Sequence, residues 1–269
     1  MRRCVPVLLI VFPFLVNTAW SQTGTFTKII PQIAIGSFDG GATKYSTVIE
    51  IINTNVISVN VSANFYNEDG SATNLNLTTN SSTVPTISNG TLTSLTLDPN
   101  KVLVISGGTT PGTTPSSGTA LWGKIATDSP VTIVMYLELR GAATNALRSR
   151  ISMPASPSNM AKFVIPRIRN VDTGLDVAFA VVNTAPTSAS LTVTLKAADG
   201  STLGSRILTI GGSSHRALFT QEFFALTNEP TGTNFHHIVF DAGTASQFAA
   251  SALAFEGGNQ TTFPVDVLR

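Results

Sequence analysis

The sequence contains almost no cysteine and little charge. Cys4 is the only cysteine in 269 residues. It lies in an N-terminal segment that we expect to be removed, so the mature chain would have no thiol for a disulfide, a cysteine-ligated metal or a cysteine nucleophile. Charged residues make up 12% of the chain, the formal net charge is +1, and Lys and Arg form no cluster. Nucleic acids require a concentrated basic surface, so we predict no nucleic-acid partner.

Long apolar runs are missing as well, apart from one short run near the N-terminus. Arg2 and Arg3 precede this run, which covers residues 5–16, and Ala19-Trp20-Ser21 then places small residues where a signal peptidase needs them. The run is shorter than the ~20 residues that span a bilayer and is interrupted by proline. The sequence predicts a signal peptide over residues 1–21, cleavage after Ser21 and an extracellular or cell-surface location, with no membrane span after cleavage.

Thr, Ser, Asn and Gly, interleaved with Val, Ile and Leu, make up most of the remaining chain. This mixture has poor helix propensity and suits pleated surfaces. Residues 57–65 and 191–195 alternate apolar and polar side chains, which is typical of strands with one solvated face. One short helix is predicted, over residues 221–226, and a loop over residues 107–118. The fold class is therefore predicted to be all-β.

An internal repeat is the most informative feature of the sequence. Its clearest part has a constant offset, because Asn183 follows Asn53 and Asp199 follows Asp69 by the same 130 residues. The matched segments are Ile30-Pro31 with Ile165-Pro166, Ile52-Asn53-Thr54 with Val182-Asn183-Thr184, Asp69-Gly70-Ser71 with Asp199-Gly200-Ser201, Leu95-Thr96-Leu97 with Leu208-Thr209-Ile210, Tyr136-Leu137-Glu138-Leu139 with Ala252-Leu253-Ala254-Phe255, and Met153-Pro154 with Phe263-Pro264.

The repeat predicts two β-sandwich modules, over residues 28–154 and 162–269, with a linker at 155–161. Each copy reads as a strand, an Asn-Thr turn, an alternating strand and an Asp-Gly hairpin, which predicts a meander. These motifs resemble those of uncharacterised secreted bacterial proteins built from tandem immunoglobulin-like β-sandwich repeats. The resemblance implies an immunoglobulin-like fold and an extracellular setting, and it implies no particular ligand.

The aromatic side chains of the first copy are the candidate ligand-binding residues. Aromatic residues make up only 7% of the chain, yet Tyr45, Phe65, Tyr66, Trp122 and Tyr136 all fall in this copy. Exposed rings stack on sugars, whereas buried rings belong to the core. Tyr66 and Trp122 are the two candidates for stacking on a polysaccharide.

Catalytic and metal sites have weaker support in the sequence. Asp39-Gly40-Gly41 and Asp172-Thr173-Gly174 occupy equivalent places, as the two aspartates of an aspartic protease would, but the first lacks the threonine of that motif. The three histidines, His215, His236 and His237, could form a metal site with Asp241 and Asp172. His236 and His237 are adjacent on a strand, however, so they point to opposite faces and cannot easily bind one ion together. We predict no catalytic site, metal site or cofactor.

Asn67-Glu68-Asp69-Gly70 offers oxygen atoms to calcium, but its repeat partner keeps only the Asp-Gly that a hairpin needs. We therefore interpret it as a turn. The leading hypothesis is a non-enzymatic secreted or cell-surface protein with a structural or adhesive role, whose partner is a polysaccharide or another surface protein. A carbohydrate-binding module is the alternative, and an aspartic-protease-like hydrolase is a further one.

Overall fold

The structure is a computed structural model, and it describes residues 25–37, 43–108, 117–141, 144–227, 229–245, 247–257 and 259–268. The predicted signal peptide and cleavage site, Asp39 and most of the predicted loop at 107–118 lie outside these ranges. Within the described ranges, no helix is long and apolar enough to cross a membrane.

The described residues are almost entirely β-structure, so the prediction of an all-β fold is confirmed. One α-helix, α1 (Thr220–Phe224), lies where the sequence predicts a helix, and a 3-10 turn covers Ser88–Gly90. The strands are β1 (Phe26–Ile35), β2 (Thr43–Ile52), β3 (Val59–Asn67), β4 (Leu77–Thr79), β5 (Thr86–Ile87), β6 (Thr91–Leu97), β7 (Val102–Gly107), β8 (Thr119–Thr127), β9 (Thr132–Gly141), β10 (Leu147–Pro154), β11 (Lys162–Asn170), β12 (Asp176–Asn183), β13 (Ala189–Ala197), β14 (Thr202–Ile210), β15 (His215–Phe219), β16 (Thr233–Asp241), β17 (Phe248–Glu256), β18 (Asn259–Phe263) and β19 (Asp266–Val267).

The strands of residues 26–154, the first half, and of residues 162–267, the second half, form separate antiparallel sheets. The sheets of the first half are β1-β8-β3-β6 and β10-β9-β2-β7-β4-β5, and those of the second half are β15-β12-β17-β18 and β14-β13-β16-β11-β19. Buried apolar side chains from both sheets fill the space between them in each half. Each half is therefore a β-sandwich.

The strand order is that of a jelly roll, not of an immunoglobulin domain. Immunoglobulin sandwiches place strands A, B, E and D in one sheet and C, F and G in the other. In the first half, β1 pairs with β8, and β2, β7, β4 and β5 lie side by side in the facing sheet, which is the double Greek key of a jelly roll with β9 and β10 added. The expected immunoglobulin-like connectivity is wrong, because the turn motifs that suggested it are common to both folds.

The second half has the same arrangement without a counterpart of β4 and β5. Its strands β11, β16, β13 and β14 neighbour one another as β1, β8, β3 and β6 do, and β15, β12, β17 and β18 correspond to β7, β2, β9 and β10. The register also agrees. Val59 pairs with Leu97, and Ala189, the counterpart of Val59, pairs with Ile210. Leu97 and Ile210 are residues that the sequence repeat matches.

One part of the sequence alignment is shifted by a residue. Met135 lies opposite Ile49, and Ala252 lies opposite Phe179, the counterpart of Ile49. The structure therefore matches Ala252 with Met135, whereas the sequence matched it with Tyr136. Residues 248–254 of β17 are all buried, so this strand has no alternation of apolar and polar residues that could fix the register.

Asn53 and Asn183 carry the chain from one sheet of each sandwich to the other. Both are fully buried. Each side-chain amide nitrogen lies 2.8–3.2 Å from three backbone carbonyl oxygens, which belong to Ile57, Leu97 and Asp98 for Asn53, and to Thr187, Ile210 and Gly211 for Asn183. The Asn-Thr segments, which the sequence predicts as turns of a meander, are therefore crossovers between sheets.

The two Asp-Gly turns have matching geometry. Gly70 and Gly200 have φ angles of 86° and 85°, and in each turn the aspartate Oδ1 accepts a hydrogen bond of 2.9 Å from the backbone N–H of the following serine. Positive φ is easily adopted only by glycine. The second turn joins β13 to β14 as a hairpin, as predicted. After the first turn the chain pairs with β3 only at Ala72 and continues into β4 of the other sheet.

We expect Asn53→Ala and Asn183→Ala each to lower the free energy of unfolding by about 2–3 kcal/mol, because each leaves buried carbonyls without a donor. Urea unfolding would measure the loss. Asn74→Ala, at an exposed position, is the matched control and should change the stability by less than about 0.5 kcal/mol. Losses no larger than that of the control would contradict the crossover role.

Candidate functional site: the cleft between the two halves

The sheets β1-β8-β3-β6 and β15-β12-β17-β18, which we call the inner sheets, pack against each other. Ile29 of β1 and Trp122 of β8 meet Val182 of β12 and Ala249 of β17, and all four side chains are buried. Tyr66 of β3 packs against this cluster. The four sheets of the described chain therefore stack in layers, with a third apolar cluster between the two sandwich cores.

The predicted linker at 155–161 is part of this contact. The backbone N–H and carbonyl of Ser156 pair with those of Ile29 at 2.8 and 2.9 Å, and Met160 pairs in the same way with Phe248. The Ser156 hydroxyl also accepts a hydrogen bond of 3.2 Å from the N–H of Ala250. The connection is therefore bonded to an inner strand of each half.

Tyr66 and Trp122, the predicted sugar-stacking residues, lie at this interface. Their rings stack on each other with centroids 4.4 Å apart and planes 22° apart. Trp122 is 2% exposed, and its Nε1–H donates to the carbonyl of Ser213 at 3.1 Å. Burial raises the pKa of the Tyr66 hydroxyl. In this arrangement Trp122 has no ring face open to a ligand, and Tyr66 is half-buried against it.

The first Asp-Gly turn extends the contact. The carbonyl of Glu68 accepts a hydrogen bond of 2.9 Å from the N–H of His215, and His215 Nε2 lies 3.2 Å from Gln32 Oε1. A Cβ added to Gly70 would lie 2.5 Å from the carbonyl oxygen of Ser213. The first Asp-Gly turn therefore abuts the second half, whereas Gly200, in the second turn, has nothing within 4 Å of its Cβ position.

His215 is buried at this interface and has an unpaired ring nitrogen. It is 1% exposed, and its Nδ1 has no hydrogen-bond partner among the described residues. Burial, together with the nearby charge of Arg216, lowers the pKa of His215 from 6.5 to about 4. The imidazole is therefore neutral at ordinary pH.

The inner sheets separate at one end and leave a cleft of about 480 Å³. Ala34, Ala120 and Leu137 line it from the first half, and Ala178, Ala180, Ala217, Phe219, Leu253 and Phe255 are among the residues that line it from the second. This volume is within the range of small-molecule sites, which are apolar with a few polar groups. The cleft is the candidate functional site.

Alanine is placed in the cleft where the other copy has larger residues. Ala180 pairs with Ala217, and the equivalent pair on the outer sheet of the first half is Glu50 with Val104. On the opposite wall Ala34 pairs with Ala120, and the equivalent pair of the second half is Ile168 with Phe235, of which Phe235 is 60% exposed. The two copies therefore diverge in a way that keeps the cleft open.

The polar groups of the cleft are few and mostly acceptors. Glu68 and Glu222 line it, and both are exposed. The hydroxyl of Tyr45, which also lines the cleft, accepts a hydrogen bond of 3.0 Å from Gln260 Nε2. The lining residues that the structure describes include no histidine, lysine, arginine or cysteine. The charged groups of the described lining are therefore two carboxylates on otherwise apolar walls.

Asp172, the aspartate predicted for a protease dyad, lies in the turn between β11 and β12. Its backbone N–H donates to Asn170 Oδ1 at 2.9 Å, and its Oδ2 accepts from the N–H of Gly232 at 3.0 Å. These are turn-stabilising contacts, as expected for a loop aspartate. Its predicted partner, Asp39, is outside the described residues.

The three histidines are dispersed. His236 Nδ1 lies 3.0 Å from Arg167 Nη1, and burial and that guanidinium lower the pKa of His236. His237 is on the opposite face of β16, and His215 is at the interface. No group of three metal-ligating side chains occurs among the described residues. At the other candidate metal site, hydrogen bonds from Ser71 lower the pKa of Asp69, so the carboxylate serves the turn.

Two buried ion-pair groups were not predicted from the sequence. In the first half, Glu138 is fully buried between Arg140 and Arg150, each 2.5 Å away. Burial alone would raise the pKa of Glu138, but hydrogen bonds from both arginines and Ser46 hold it below its ordinary value. In the second half, the fully buried Arg167 lies 2.6 Å from Glu229. In both groups the buried charges are therefore neutralised by one another.

Comparisons with known proteins give no family. No protein-family model matches the sequence, and no curated protein matches it. A Pleurotus ostreatus lectin in complex with GalNAc aligns with 91% of this chain and 76% of its own, at 9% identity and a TM-score of 0.22. Its apo form gives the same identity and TM-score. The pilus backbone of Streptococcus pneumoniae aligns with 90% of this chain and 98% of its own, at 11% identity and a TM-score of 0.15. These scores are too low to support an argument about fold or ligand.

We expect Gly70→Ala to destabilise the protein more than Gly200→Ala. Both substitutions place a Cβ at positive φ, which costs about 1–2 kcal/mol, but only that at residue 70 meets the Ser213 carbonyl of the other half. Thermal unfolding would measure the difference, and Gly200→Ala is the matched control. Equal losses would contradict a close contact between the first turn and the second half.

We expect stability to fall as the pH drops from about 6.5 to about 4, because the unfolded chain protonates His215 before the folded chain does. The shift in the pKa of His215 corresponds to a loss of stability of about 3 kcal/mol, which is complete below about pH 4 and absent above about pH 7. Urea unfolding of wild type and His215→Gln across this range would test this. Parallel stability curves for the two proteins would contradict it.

Proposed function

We propose that the protein is an exported, non-enzymatic binding protein that acts at the cell surface or outside the cell. The cleft between the inner sheets is its ligand site, and the two joined sandwiches are the structural or adhesive unit that presents it. Export depends on the signal peptide over residues 1–21. Mass spectrometry of the secreted chain would show Gln22 at its N-terminus if cleavage follows Ser21.

The observation that carries this proposal is the set of alanines in the cleft. Ala34, Ala120, Ala178, Ala180 and Ala217 line walls that belong to both halves. Equivalent positions in the other copy carry larger side chains, so the fold itself does not require alanine there. A cleft kept open in this way forfeits packing contacts, which a bound ligand would restore.

The cleft also favours binding over catalysis. Ser251 lines it, but His215, the histidine at the same interface, directs Nε2 to Gln32 rather than to a hydroxyl. A serine nucleophile requires an adjacent base. Asp172 is engaged in its turn, and Asp39, the other aspartate of the protease alternative, lies outside the described residues.

Carbohydrate binding is the second candidate function, and the rim of the cleft is the observation that favours it. Phe219 is 38% exposed and its ring centroid is 5.2 Å from that of Phe255. An exposed ring beside carboxylates is an arrangement that can stack on a sugar and accept its hydroxyl protons. Retention on insoluble polysaccharides, lost in Phe219→Ala, would support this candidate.

Filling the cleft should weaken binding of an apolar ligand. We expect the neutral dye N-phenyl-1-naphthylamine to bind the wild-type chain and to bind Ala120→Phe at least about tenfold more weakly, because the phenyl ring occupies the space of the ligand. Fluorescence titration would measure both affinities, and mass spectrometry should recover the dye unchanged.

Ala198→Phe is the matched control for this experiment. It adds the same side chain at an exposed position of the second Asp-Gly turn, so its affinity should equal that of wild type. Equal binding by Ala120→Phe and wild type would place the dye elsewhere and refute the cleft as the site. Unfolding temperatures of all three proteins would show that each is folded.

A further inference from the structure

The cleft has charge of one sign only. Glu68 lies in the turn that follows β3, and Glu222 lies in α1, so the first and second halves contribute one carboxylate each. The described lining residues include no basic side chain. Neither carboxylate has an ion pair with another described residue. Both charged side chains of the described lining are therefore negative, and neither is paired with a cation of the described residues.

The walls themselves are apolar. Alanine, leucine and phenylalanine side chains cover most of the surface. Gln32 Oε1 and the Tyr45 hydroxyl already have partners in His215 and Gln260. A sugar placed deep in this cleft would leave hydroxyls unpaired, at about 1–3 kcal/mol each. An apolar anion, such as a fatty acid, would place its charge beside two carboxylates.

We propose that the cleft binds an amphiphilic cation, a small molecule with an apolar body and a positively charged head. The body lies between the alanine-lined walls, next to Phe219 and Leu253, and the head is held by Glu68 and Glu222. This inference rests on the proposed function, because it specifies the ligand class of the same site. Complementary charge at a low-dielectric cleft attracts the ligand and selects against anions of equal shape.

A pair of dyes that differ only in charge tests the proposal. Dansylcadaverine carries a primary ammonium, and its N-acetyl derivative has the same dansyl body and chain without the charge. We expect the cationic dye to bind several-fold more tightly, and this preference to shrink at 0.5 M salt because exposed charges are screened. Fluorescence titration of the full-length mature chain would measure both affinities.

Carboxylate variants locate the head group. Glu68→Gln and Glu222→Gln should each weaken dansylcadaverine binding by about threefold, as expected for a partly solvated ion pair, and should leave binding of the acetylated dye unchanged. Asp266→Asn removes a carboxylate at an exposed position outside the cleft and is the matched control, expected to have no effect beyond that of net charge.

The possible outcomes separate the two proposals. Equal affinity for both dyes, or no effect of the glutamate variants, would overturn the cationic ligand class while the cleft remains a binding site. Binding of N-phenyl-1-naphthylamine without binding of dansylcadaverine would overturn it as well. If the cleft-filling variant Ala120→Phe binds all three dyes as wild type does, the proposed function itself fails.

Discussion

The packing of one inner sheet on the other is the constraint on which the rest of the structure depends. Residues 248–254 of β17 are all buried, one face against the core of the second half and the other against the first half. A strand that is apolar on both faces is stable only when both are covered. Trp122 and Ile29 provide that cover for Val182 and Ala249. If either sandwich stood alone, its inner sheet would therefore expose apolar side chains to water.

The sequence predicted the parts of this fold that local chemistry determines. Asp-Gly turns need positive φ, and alternation marks half-solvated strands, so the turns and the all-β class could be read directly. Strand order depends on which sheet each strand joins after a crossover. No residue pattern near Asn53 indicates that the chain crosses between sheets there. The motif was therefore read as a turn of a meander, and the jelly-roll order was missed.

The candidate site was missed for a different reason. The residue types that usually bind or react are aromatic, acidic or histidine, and among these the sequence points to Tyr66 and Trp122. Both side chains pack at the interface instead. The cleft is built largely from alanines, which carry no motif. The available signal was the internal repeat, because Ala120 and Ala180 stand where the other copy has Phe235 and Glu50. Small residues become informative only once the equivalent position is known to tolerate a large one.

The same comparison shows how the two outer faces differ from the inner faces that form the interface. The contact is heterologous, since the inner sheet of the first half and the inner sheet of the second half are not counterparts of each other. Each has its counterpart on the outer sheet of the other half, and heterologous contacts continue into filaments unless such free faces differ from the inner ones. On the outer sheet of the second half, the counterparts of Trp122 and Tyr66 are His237 and Lys196. On the outer sheet of the first half, the counterpart of Ala249 is Thr132. The outer sheets thus carry polar residues at the counterparts of Trp122, Tyr66 and Ala249, whereas Val164 and Ile52, the counterparts of Ile29 and Val182, stay apolar. The aromatic and alanine contacts of the interface therefore belong to the one pair of faces that also forms the cleft.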